Sequence, residues 1–105
     1  MGFVRVAALA EVPEGEVRGV EVGVTKLCLV NVEGEVYAFQ DKCTHRDFPL
    51  SQGELDPDDC SITCDWHGAK FDVRSGKALT PPAVRPVPVY EVKLEGDEIW
   101  VDLPG

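Results

Sequence analysis

Both histidines of this 105-residue chain, and two of its four cysteines, fall in two short segments, Cys43-Thr44-His45 and Cys64-Asp65-Trp66-His67-Gly68. Eighteen residues separate them. Thiolates and neutral imidazoles are good ligands for iron or zinc, and a pair held in a tight turn brings two donors to one centre with little ordering left to do. The two pairs are spaced differently, Cys-x-His and Cys-x-x-His, whereas structural zinc modules more often open on a cysteine knuckle and close on a histidine pair. The mixed pattern suits a centre in which the two cysteines serve one metal and the two histidines another. Two other readings stay open at this level: a purely structural zinc site built from the same four residues, and four packed side chains that bind no metal.

The elements that must position these pairs read as strands. Residues 3–9 and 17–22 read as short strands around Pro13-Glu14-Gly15, and 27–32 and 35–40 flank Glu33-Gly34 as a hairpin. After the first Cys/His pair, 51–55 and 60–63 predict a hairpin about Asp56-Pro57-Asp58-Asp59, and 70–73 follows the second pair before a turn at Arg74-Ser75-Gly76. Residues 87–95 and 98–103 close the chain as a hairpin about Gly96-Asp97. No window has a helical period with caps, and Gly and Pro recur at short intervals, so the expected fold class is all-β. One domain accounts for the length, and no repeats, linkers or low-complexity segments interrupt it.

Cys-x-His, an intervening segment and then Cys-x-x-His-Gly resembles the ligand set of Rieske proteins, where two histidines replace two cysteines on one iron of a 2Fe-2S cluster. The resemblance extends through Ala69-Lys70-Phe71-Asp72, Ser75-Gly76, Pro81-Pro82-Ala83 and the alternating tail from Val87 to Val101, as in soluble Rieske ferredoxins. It implies that Cys43 and Cys64 hold a buried iron, that His45 and His67 hold an outer iron at the protein surface, and that Pro81 and Pro82 lie in a loop shielding the cluster. It also implies an antiparallel β scaffold, residues 1–42 and 80–105, with an inserted cluster-binding subdomain, residues 43–79.

Departures from the high-potential members of that family matter as much. Those relatives carry one further cysteine in each ligand loop, joined as a disulfide; Phe48 and Trp66 stand at the matching positions here. The loops would then be held by packing of Phe48, Pro49, Leu50 and Trp66. Those relatives also place a Ser directly after the His-Gly and a Tyr two residues on; this chain has Ala69 and Phe71. Hydrogen bonds to a charged group stabilise it by roughly 1.5–3 kcal/mol each, so losing two lowers a one-electron potential by ~100–250 mV. The expected potential is at the low end of the Rieske range of about −150 to +300 mV.

The rest of the chain bounds the function. The formal charge is −9, which disfavours nucleic acid and anionic membranes and favours docking to a basic face of a redox partner, although solubility alone also explains it. Acidic residues are spread from Glu11 to Asp102, so no run marks a docking face. No stretch approaches the ~20 apolar residues of a membrane span, and residues 1–12 lack the basic and apolar regions of a signal peptide. With Val6 at the position where a hydroxyl is required, Gly2 makes no myristoylation motif. The expectation is a cytoplasmic protein, monomeric as suits a diffusible carrier.

No histidine is left for a mononuclear iron site, so an electron carrier is expected and not an enzyme. The resemblance implies a flavin-dependent ferredoxin reductase as donor and a terminal oxygenase as acceptor, as in ring-hydroxylating dioxygenase systems. A small Rieske-like subunit of an assimilatory nitrite reductase is the alternative within the family, and a zinc-stabilised interaction module the alternative outside it. Cys28 and Cys60 read as small buried hydrophobes, with a disulfide between them the lesser reading. Trp66, Phe48 and Leu50 serve equally as core or as an apolar docking rim. Arg46, Asp47, Asp65 and Lys70 read as solvated loop charges, and Asp72 as a turn residue.

Histidine ligation has a pH signature. The outer ring nitrogens of His45 and His67 lose their protons more readily when the cluster is oxidised, so alkali favours the oxidised form. The reduction potential should therefore fall as pH rises through the alkaline range, and a flat profile in protein-film voltammetry would count against histidine ligands.

Overall fold

The computed structural model describes residues 2–41, 49–63, 70–80 and 86–103. Among them are eleven strands and two single-turn 3-10 helices: β1 Gly2–Ala8, β2 Val17–Val22, β3 Thr25–Val32, β4 Glu35–Gln40, β5 Glu54–Asp56, β6 Ser61–Thr63, β7 Lys70–Asp72, β8 Ala78–Thr80, β9 Val89–Tyr90, β10 Val92–Glu95 and β11 Glu98–Leu103, with the 3-10 turns at Leu9–Glu11 and Leu50–Gln52. The expected all-β class holds. Three antiparallel sheets form, ordered β1-β11-β10, β2-β3-β4-β9 and β5-β6-β7-β8.

The hairpin β3–β4 is the middle of the molecule. Glu33 and Gly34 both have positive φ, 52° and 89°, the two-residue turn whose twist matches antiparallel strands. Val32 then pairs with Glu35 and Leu27 with Gln40. Alternation sends Cys28, Val30, Val32 and Phe39 into one core, shared with Leu50, Ile62, Phe71, Val73 and Val87. It sends Leu27, Leu29, Val36 and Ala38 into another, shared with Ala7, Val12, Ile99 and Val101. The central sheet is thus covered on both faces, which explains why Leu27-Cys28-Leu29-Val30 is a continuous apolar run. Each large side chain fully buried here contributes about 1.5–3 kcal/mol.

Tertiary packing changes three of the expected elements and adds one. The strand at the N-terminus does not pair with β2; β1 pairs with β11, Val4 opposite Val101 and Ala7 opposite Ile99, because both strands cover the second core. Between β1 and β2 the chain is held by the buried Asn31, whose Nδ2 donates to the Val12 carbonyl at 2.8 Å while its Oδ1 accepts from Gly34 N–H at 3.0 Å. Residues 50–52 turn as a 3-10 helix and not as a strand, since that geometry buries Leu50 completely. Strand β5 ends where the Asp56 carboxylate accepts from Asp58 N–H and Asp59 N–H. The expected strand 87–95 divides at Glu91, β9 joining β4 and β10 joining β11. Strand β8 was not expected from the sequence.

Pairing also brings chain ends together. Glu54 stands opposite Thr63, Thr63 opposite Lys70, and Lys70 opposite Thr80. Gly53 precedes this row, and a Cβ added there would overlap the carbonyl oxygen of Thr63. Replacing Gly53 by Ala should therefore lower stability by about 1–3 kcal/mol through overpacking, seen as a lower urea midpoint at unchanged m-value. A midpoint equal to that of the parent would show that the approach tolerates a side chain.

Candidate metal centre at one end of the four-stranded sheet

Segments 42–48, 64–69 and 81–85 lie outside the described residues, and with them Cys43, His45, Cys64 and His67. So do Arg46, Asp47, Phe48, Asp65, Trp66, Ala69, Pro81, Pro82 and Ala83. What the structure does establish is where those segments begin and end. The first leaves after β4 at Asp41 and returns through Pro49 and the Leu50–Gln52 turn to Gly53, beside Thr63. The second leaves after Thr63 and returns at Lys70, its pairing partner. The third leaves after Thr80, which pairs with Lys70, and its return reaches Pro88, whose carbonyl accepts from Gln40 N–H at 2.9 Å. Gln40 is the last residue of β4, one before Asp41. The ends of the second segment and the start of the third therefore lie in one row with Glu54, the first returns beside that row at Gly53, and the third returns past Val87, whose N–H donates to the Gly76 carbonyl at 2.8 Å.

Both Cys/His pairs belong to segments whose described flanks adjoin that row. Cys43 follows Asp41 by two residues, Cys64 follows Thr63 directly, and His67 precedes Lys70 by three. Two thiolates and two imidazoles are the donor set of a 2Fe-2S cluster with mixed ligation, so the residues present fit that group. Such a cluster takes up and releases one electron.

The other two cysteines are accounted for. Cys28 is buried in the first core, and desolvation first and the Asp41 carboxylate second push its thiol well above the ordinary range, so it remains protonated. Cys60 sits in the β5–β6 turn, at the opposite end of the sheet from Thr63, with φ 51° and its sulfur 3.8 Å from the Pro57 carbonyl. Both thiols are free. Among the described residues no group of three or more His, Cys, Asp or Glu is arranged to hold a metal ion.

Residues in and around that row resolve several sequence readings. Leu50 is core and not a docking rim. The Asp72 carboxylate accepts from Arg74 N–H at 2.9 Å, while the Asp72 carbonyl accepts from Gly76 N–H at 2.7 Å, a turn role as expected. Lys70 Nζ donates to Asp59 Oδ2 at 3.3 Å across the β6–β7 pair. Phe71 is fully buried beside Ile62, facing it across the strands. Sequence reasoning missed Gly53, Asp41, Ser51 and Gly19. The available signal was the glycine inside the strand at 19, since such a glycine marks a close approach of backbone.

The comparisons agree with this construction. Residues 2–91 match the model of the Rieske [2Fe-2S] domain family. The 3-phenylpropionate/cinnamic acid dioxygenase ferredoxin subunit of Shigella boydii is 39% identical over 104 residues, 99% of this chain and 96% of that protein. The solved ferredoxin of carbazole 1,9a-dioxygenase from Nocardioides aromaticivorans IC177 superimposes with a TM-score of 0.91 at 33% identity, covering 96% of this chain and 97% of that one. A ferredoxin solved in the complex of reduced oxygenase and oxidized ferredoxin in carbazole 1,9a-dioxygenase matches with a TM-score of 0.85 at 35% identity, over 94% and 91% of the two chains. With its all-β fold, the chain belongs to the Rieske [2Fe-2S] domain family, an electron-carrying ferredoxin with one such cluster and not itself a catalytic subunit.

Proposed function

We propose that the protein holds its cluster through Cys43 and Cys64 on one iron and His45 and His67 on the other, and carries single electrons from a flavin-dependent ferredoxin reductase to the terminal oxygenase of an aromatic-ring dioxygenase. What supports the ligand assignment is the row Glu54-Thr63-Lys70-Thr80, because the segments bearing both Cys/His pairs adjoin it, the second leaving at Thr63 and returning at Lys70 and the first returning beside it at Gly53. The acceptor follows from the similar proteins, which are ferredoxins of dioxygenases, one of them solved together with its oxygenase. Those relatives favour this reading over a nitrite reductase subunit or a zinc module. A net charge of −9 supports long-range attraction to a basic partner face.

Residues 43–79 form the cluster-binding part in this proposal, with 1–42 and 80–105 as its scaffold. Membership of the sheets supports that division, since β5 to β8 pair among themselves. We place the carrier in the cytoplasm as a monomer. Among the described residues no helix is long and apolar enough to cross a membrane.

An anaerobic redox titration with visible spectra tests the reading. The expected result is a red-brown protein with a one-electron couple near −150 mV, the low end of the family range. A strongly positive couple would overturn the argument from Ala69 and Phe71 and the proposed partners. A colourless protein with stoichiometric zinc would overturn the electron-transfer reading itself.

A further inference from the structure

The first ligand-bearing segment is closed by a side chain that is not itself a ligand. Asp41 lies just beyond β4, its N–H donating to the Lys26 carbonyl at 2.9 Å. Ten residues later, Ser51 gives that carboxylate two hydrogen bonds: its N–H donates to Oδ1 at 2.6 Å and its hydroxyl to Oδ2 at 2.7 Å. Both carboxylate oxygens are thus engaged by one residue. Ser51 is itself immobilised, because Leu50 before it is fully buried and Gly53 N–H donates to the Leu50 carbonyl at 2.9 Å.

A third residue makes room for the pair. Gly19 of β2 stands opposite Cys28 in the central sheet, and a Cβ built there would lie 2.6 Å from Ser51 Oγ and 2.8 Å from Asp41 Oδ2. Gly19, Asp41 and Ser51 together line one side of an open pocket of about 680 Å³. The glycine has no backbone requirement of its own, since its φ is not in the left-handed region. Its absent side chain is explained by the latch that packs over it.

We infer that Asp41, gripping Ser51 over Gly19, is a positioning group that fixes both ends of the segment carrying Cys43 and His45. It sets how tightly the cluster is kept and what environment its ligands present. This inference rests on the ligand assignment proposed above, and Asp41 acts through the backbone of that segment without touching the metal.

Ser51→Ala is the discriminating variant, because it removes one hydrogen bond and leaves every charge in place. Asp41→Asn is less informative, since deleting a charge two residues from Cys43 shifts the potential by itself. Gly19→Ala presses on the same bond from the opposite side. In the holo protein, Ser51→Ala and Gly19→Ala should each speed loss of the visible chromophore to a chelator about tenfold, the size expected for one hydrogen bond to a charged group. Both should also move the g-values of the reduced cluster in electron paramagnetic resonance. The double variant should lose the chromophore no faster than the worse single variant, because one latch is being broken twice. Ser51→Thr, which keeps the hydroxyl, should restore both readouts; it carries the test if Gly19→Ala does not fold.

Wild-type chromophore loss and unchanged g-values in Ser51→Ala would overturn the inference. Additive losses in the double variant, or Ser51→Thr behaving like Ser51→Ala, would also overturn it by reducing the effects to unrelated damage. Failure of the ligand assignment is read separately: His45→Cys would then leave the g-values of the parent unchanged, whatever the latch variants do.

Discussion

Glu54, Thr63, Lys70 and Thr80 stand in one row across four antiparallel strands, and the segments that carry the two Cys/His pairs adjoin that row. Antiparallel pairing makes the chain reverse at alternating ends of a sheet, so a connection at one end is followed by a connection at the other. Here the turns at 57–60 and 74–77 occupy one end, and the segments bearing Cys64 and His67 and the Pro81-Pro82 pair begin at the other. The first ligand segment comes from a different sheet. It returns to the same end because Gly53 allows its backbone to press against Thr63.

This arrangement needs a stiff base, which the central hairpin supplies. A sheet buried on both faces exchanges nearly all of its contacts with water for packing contacts, and interiors so packed resist small displacements. Phe39 and Cys28 couple that sheet to Ile62 and Phe71 of the β5-β6-β7-β8 sheet through one continuous core. A force on the ligand segments is therefore resisted by the middle of the molecule.

Electrostatics plays a smaller part in stability than in encounter. The described ion pairs, such as Arg5 with Glu98 at 2.6 Å and Lys93 with Glu95 at 2.9 Å, join side chains that are about half exposed. Exposed pairs of this kind contribute ~0–1 kcal/mol each. The Asp41 carboxylate differs because it receives two short hydrogen bonds from a residue already fixed by packing. Its influence comes from geometry held locally, while the acidic surface acts over distance.

The sequence alone determined the β class, the hairpins about Glu33-Gly34 and Gly96-Asp97, and the four residues whose chemistry suits a mixed-ligand iron cluster. These are local properties: turn residues with positive φ, alternation at a period of two, and donor types at short spacing. The tertiary structure decided that β1 pairs with β11 and not β2, that residues 50–52 turn to bury Leu50, and that Glu91 divides one apparent strand between two sheets. It also decided that Gly19 and Gly53 are positions where a side chain would strike Ser51, Asp41 or Thr63. Each depends on groups far apart in the chain competing for one buried volume, and a pattern read along the chain does not contain that competition.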